Sequence, residues 1–95
     1  MPPELYKTTP IFDEASLPGA IRNAHSTKAG VWGLLRVLEG EVRLVFHEPR
    51  REVRVTRQAP APIAPQAVHH VEVDAPMRMQ VEFYREPPLG EAGAD

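Results

Sequence analysis

MRMQVEFYR, residues 77–85, places Met77, Met79, Val81 and Phe83 at every second position, with Arg78, Gln80, Glu82 and Tyr84 between them. Successive side chains of a strand point to opposite faces, so this period marks a half-buried β-strand. The same period runs through EVRLVFH (41–47), where Val42, Leu44 and Phe46 alternate with Glu41, Arg43 and the more tolerant Val45. In REVRVTR (51–57), Val53 and Val55 alternate with Glu52, Arg54 and Thr56. VWGLLRVL (31–38) is apolar on both faces, as expected of a central strand.

The joints between these segments carry turn residues. Leu38-Glu39-Gly40-Glu41 reads as a tight hairpin through a glycine able to take positive φ, and His47-Glu48-Pro49-Arg50 reads as a second turn. Eleven prolines in 95 residues oppose a helical fold, because proline removes a backbone donor and is excluded from helix interiors. QAPAPIAP (58–65) is expected to be a non-helical connection anchored by Ile63. One short helix is expected over Leu17–Ala24, capped by Ser16, with Pro18 near its first position. About seven short strands separated by turns indicate an all-β domain, a small antiparallel sandwich or barrel. The domain is expected to span residues 1–86, with 87–95 a loose C-terminal tail.

Composition narrows the function classes. With 11 basic and 13 acidic residues interspersed and a net charge of −2, the chain lacks the basic footprint of nucleic-acid binding. Cysteine is absent, which removes disulfides, thiolate metal sites and cysteine nucleophiles together. MPPELYKTTP is not a basic region followed by an apolar run, and no apolar stretch nears the ~20 residues that span a bilayer. The expectation is a soluble cytoplasmic protein with no membrane or nucleic-acid partner. No G-x-S-x-G elbow, P-loop or G-x-G-x-x-G stretch is present.

Chemistry therefore falls to the histidines. A lone histidine in a β-rich chain is more often a surface or satisfied residue than a ligand, and His47, on the polar face of its strand, is read that way. PQAVHHVEV (65–73) differs: if Val71 and Val73 face the core, alternation turns His69 inward and His70 and Glu72 outward. A buried imidazole needs a partner, since an unsatisfied polar group costs roughly 1–3 kcal/mol. A metal, a carboxylate or a second histidine would each serve, and His25, in the loop HSTKAGVWG (25–33), is the candidate to meet it. Glu72 joins them only if a bulge re-aims it. Lys28 is an ordinary solvated lysine or the attraction point for an anion. Trp32 is core or ligand-facing, and Arg36 either pairs with an acid across the sheet or faces a cavity.

Taken in order, TPIFDEASLPGAI, HSTKAGVWG, RVLEGEVRL, PQAVHHVE and VEFY resemble the small cupin domain of the tellurite-resistance TehB/YeaR type over roughly residues 5 to 85. The resemblance implies a double-stranded β-helix, or jelly roll. That domain occurs alone and as an extension of some methyltransferases, with a presumed metal or small-molecule site and an association with tellurite or oxyanion stress. The family pattern falls on His25, Lys28, Trp32, Gly33, His69 and Glu72, and is loose at His70. Compared with the wider cupin superfamily, Gly40 ends the first motif, but Ser26 and Lys28 stand near the expected histidines and Gly33 near the expected glutamate. The full three-histidine, one-glutamate site is therefore absent. The resulting expectation is a small cupin holding zinc, nickel, iron or copper through His25, His69 and Glu72, or a small oxyanion or other ligand beside Lys28, Trp32 and Arg36. The alternative is a metal-free dimeric binding or regulatory module without catalysis.

Overall fold

The computed structural model describes residues 5–88, so the tail expected over 87–95 lies outside the described residues from position 89 onward, as do residues 1–4. Eight strands and one helical turn make up the described chain: β1 (Leu5–Thr8), β2 (Phe12–Asp13), α1 (Gly19–Arg22), β3 (Trp32–Glu39), β4 (Glu41–His47), β5 (Arg50–Thr56), β6 (Ala61–Ile63), β7 (His69–Glu72) and β8 (Arg78–Tyr84). They form two antiparallel sheets. The larger has the order β1-β8-β3-β6, with β2 also pairing β8, and the smaller has the order β5-β4-β7.

Alternation settles which residues meet between the sheets. Leu35, Val37, Ala61, Ile63, Met79 and Val81 come from the larger sheet; Val42, Leu44, Phe46, Val55 and Val71 come from the smaller. All are buried, and Leu17 and Met77 join the same cluster. The apolar β3 is indeed central, flanked by β8 and β6. Its outward Leu34 is 1% exposed, and the outward Val45 of β4 is 0% exposed. Across the strands Leu34 is paired with Pro62 and Glu82, and Val45 with Glu52 and His70.

Three local expectations are corrected. Glu39-Gly40-Glu41 does not close a hairpin, because β3 and β4 lie in different sheets; the turn instead carries the chain across the core. Gly40 has φ +75°, and a Cβ there would lie 2.6 Å from the Pro76 carbonyl oxygen. The hairpin is the next turn, through Glu48-Pro49 between β4 and β5. QAPAPIAP contains a strand: β6 pairs with β3 through Ile63, Pro62 and Ala61. Pro62 is tolerated because β6 is at the edge of its sheet, where a missing N–H breaks no second ladder.

The helix is shorter than expected, four residues from Gly19, and no side chain caps it. Ser16 is engaged elsewhere: its Oγ accepts from the Asp13 amide at 2.9 Å, while Asp13 Oδ1 accepts from the Ala15 and Ser16 amides at 2.9 and 2.8 Å. All three amides precede the helix, so these bonds close the turn before it and leave the helix start uncapped by any side chain. The same bonds, led by those with Ser16, hold the Asp13 carboxyl below its ordinary range.

Candidate functional site

The strand directions gather one end of the sandwich. There β3 begins at Trp32, β8 ends at Tyr84, β6 ends at Ile63, β4 ends at His47 and β7 begins at His69. A row of paired residues, Lys7, Phe83, Gly33 and Ile63, crosses the larger sheet at this end. The loop carrying His25 and Lys28 lies over it and is fastened to the β6–β7 connection. His25 and His69 exchange both backbone hydrogen bonds at 2.9 Å. The Gln66 amide donates to Thr27, whose hydroxyl donates to the Ala64 carbonyl at 3.1 Å.

His69 is 3% exposed and faces inward. Its Nδ1 lies 2.7 Å from the Ala67 carbonyl oxygen. A carbonyl only accepts, so Nδ1 carries the proton and Nε2 is left as an acceptor. Burial holds this imidazole below the usual histidine value; the Ala67 bond opposes the shift, and the neighbouring His25 adds to it. The His25 and His69 rings stand 4.3 Å apart at 56°, and Phe46 lies 6.2 Å beyond His69 under the Arg51 guanidinium.

Two cavities adjoin here. The outer, about 320 Å³, is walled by Lys7, His25, Ser26, Thr27, Lys28, Val31 and Phe83, none of them acidic. The inner, about 140 Å³, runs between the sheets past Leu35, Ile63, Val71 and Val81, with His69 and His25 among its polar walls. His25, Thr27 and Phe83 line both, so they form the threshold between them. Among the described residues neither Lys7 nor Lys28 forms an ion pair.

The other candidate residues are placed differently. Glu72 does not join His25 and His69: β7 pairs with β4 in unbroken register, so no bulge re-aims it, and its carboxylate lies on the outer face. There Glu72 accepts from His70 Nε2 at 2.8 Å and from Arg43 Nε at 3.2 Å. His70 Nδ1 in turn faces His47 Nε2 at 2.6 Å, and Arg43 also reaches Asp74 at 3.1 Å. With His70 donating to the carboxylate from Nε2, its Nδ1 is the acceptor and His47 Nε2 the donor. The bond from His70, then the Arg43 guanidinium, holds the Glu72 carboxyl below its ordinary range.

Arg36 takes the first of its two alternatives: its Nε donates to Glu82 at 2.7 Å, and the Tyr84 hydroxyl donates to the same oxygen at 2.8 Å. It therefore belongs to the outer face of the larger sheet, away from both cavities. Trp32, paired with Tyr84, lines neither cavity. Among the described residues no group of three His, Asp or Glu side chains is placed to hold a metal ion.

Sequence reading missed Lys7, Thr27 and Phe83 at the mouth and the His47–His70–Glu72 chain. Phe83 carried an inward signal in its alternation. Lys7 carried none, since its place depends on β1 pairing with β8. The outer chain was detectable in principle, because Arg43 and His47 share the polar face of one strand and His70 and Glu72 that of another.

Two antiparallel sheets enclosing an end-opening cavity define an all-β domain with a small-molecule-sized site. The chain belongs to the TehB-like domain family, which it matches over residues 7–81. It is 35% identical over 74 residues to the probable S-adenosyl-L-methionine-dependent methyltransferase TehB of Haemophilus influenzae strain 10810, covering 70% of this chain and 25% of that protein. The same values hold for its counterpart in strain ATCC 51907. The chain thus spans about a quarter of the length of these relatives. Among solved structures, TehB from Haemophilus influenzae superposes with a TM-score of 0.76 at 30% identity, over 85% of this chain and 30% of that one. A protein from E. coli strain K12 superposes with a TM-score of 0.78 at 18% identity, over 86% of this chain and 89% of that one, a likeness of fold. No helix among the described residues is long and apolar enough to cross a membrane.

Proposed function

We propose that this TehB-like domain is a binding module of the cupin kind that takes a small anion at its open end. The observation that carries the reading is the outer cavity, which Lys7, Lys28 and His25 line together with no carboxylate among its described lining residues. A concave site lined by one sign of charge concentrates ions of the other sign. An oxyanion such as tellurite is one member of the class, in line with the stress association that the family resemblance implies.

The residues do not fit the metal centre implied by the cupin resemblance. A catalytic site of that kind uses three protein ligands, and with Glu72 on the outer face only His25 and His69 remain, their rings packed against each other. An anion requires no third ligand, so the metal-free reading is preferred. On this reading the methyltransferase activity in the relatives' name belongs to the other three-quarters of those proteins, and this domain serves it as a ligand-binding accessory. The proposal is tested by isothermal titration of the chain with tellurite, selenite and acetate. Saturable binding that weakens in Lys7→Ala and Lys28→Ala supports it; absence of binding by every anion rejects it.

A further inference from the structure

The inner cavity narrows the ligand class. Its walls are mostly aliphatic and aromatic, from Leu35, Ile63, Val71, Val81 and Phe83. The threonines lining it have their hydroxyls committed: Thr9 Oγ1 donates to Pro10 and accepts from Val81, and Thr27 Oγ1 donates to Ala64 and accepts from Gln66. Little remains to hold water except the ring nitrogens of the two histidines. An apolar cavity of about 150 Å³ is large enough to take up a small apolar molecule, and this one is about 140 Å³. An inorganic oxyanion resting on Lys7 and Lys28 would leave that chamber unused.

We infer that the ligand is an amphiphilic anion, with a charged head at Lys7 and Lys28 and a short unbranched apolar chain passing between His25 and Phe83 into the inner cavity. The inference rests on the anion reading above and adds the tail. At about 30 Å³ per group, close to the volume of one water, the chamber accommodates roughly four or five carbons. Burying each methylene is favourable enough to tighten binding about fourfold. Affinity therefore climbs along a homologous series and stops climbing when the chamber is full.

The experiment is titration of the chain with acetate, butyrate, hexanoate, octanoate and decanoate, beside selenite. The expected result is a rise of about fourfold per methylene followed by a plateau, with Lys28→Ala weakening every member. Val71→Phe, which occupies the chamber, is expected to abolish the chain-length dependence, so that octanoate binds no tighter than acetate. Because Val71→Phe can fail to fold, the wild-type series decides by itself. Equal affinity for acetate, octanoate and selenite would overturn the tail while leaving the anion reading standing. Binding that rises with chain length without a plateau would also overturn it, since that describes adsorption to an open surface. No binding by any of the anions would overturn the reading beneath it.

Discussion

His25 and His69 are joined twice, through reciprocal backbone hydrogen bonds of 2.9 Å and through rings 4.3 Å apart. With the Thr27 bonds to Ala64 and Gln66, this pairing holds the loop as a wall of the cavity and Lys28 at its mouth. The buried ring is kept neutral by its surroundings, and that has a consequence for stability in acid.

The folded chain binds a proton at His69 less readily than the unfolded chain, because burial lowers the imidazole below 6.5. Stability is therefore full above that pH and falls as the pH drops through it, until the folded value is passed. Asp13 and Glu72, both depressed, add a second loss below their ordinary values of 3.8 and 4.5. Thermal melts between pH 7 and pH 3 are expected to show both phases. His69→Leu should remove the first and keep the second; an unchanged first phase would assign it to another group.

Charge at the mouth is tested by salt and by substitution. Lys7→Ala and Lys28→Ala are each expected to weaken anion binding about two- to fivefold, the range for an exposed charge pair. The two effects should multiply in the double variant. In 1 M salt, where screening acts within about 3 Å, wild-type affinity should fall toward that of the double variant.

Glu72 separates the cavity from the outer face. Glu72→Gln disturbs the bonds to His70 and Arg43 but touches neither cavity. Anion affinity is expected to stay within twofold of wild type, with a small change in melting temperature. A tenfold loss of affinity would place Glu72 in the site after all.

Three glycines isolate what the turn across the core requires. Gly40 combines φ +75° with a backbone oxygen 2.6 Å from a would-be Cβ; Gly30 has φ +76° but open space; Gly19 has neither constraint. Gly40→Ala is expected to cost at least about 2 kcal/mol, lowering the melting temperature by on the order of 10 °C for a domain of this size. Gly30→Ala should cost about 1 kcal/mol, and Gly19→Ala, in a helical turn, should stabilise. Calorimetry of the three variants checks the order.

Most of the strands are legible in the sequence because a period of two needs no knowledge of partners: Met79, Val81 and Phe83 announce β8, and Leu44 and Phe46 announce β4. Sheet membership is another matter. Gly40 signals a turn equally well whether the chain pairs with itself or crosses the core, and only the long-range pairing of β3 with β8 decides. The inward placement of His69 and the outward placement of Glu72 follow from alternation. Carrying Glu72 over from the family pattern set that rule aside and misplaced it. Ser16, expected to cap the helix, instead accepts from the Asp13 amide, and no side chain caps that turn. The cationic mouth was half visible, since Lys28 lies in the conspicuous loop while Lys7 reaches it only through β1 pairing beside Phe83.

The proposed ligand site is the open end of the sandwich, not the outer face that carries His47 and His70. The most direct measurement is a backbone amide and imidazole NMR titration of the chain with hexanoate. Shifts are expected at Lys7, His25, Thr27, Lys28, His69 and Phe83, with His47, His70 and Glu72 unmoved. Shifts confined to His47, His70 and Glu72, or none at saturating hexanoate, would contradict it.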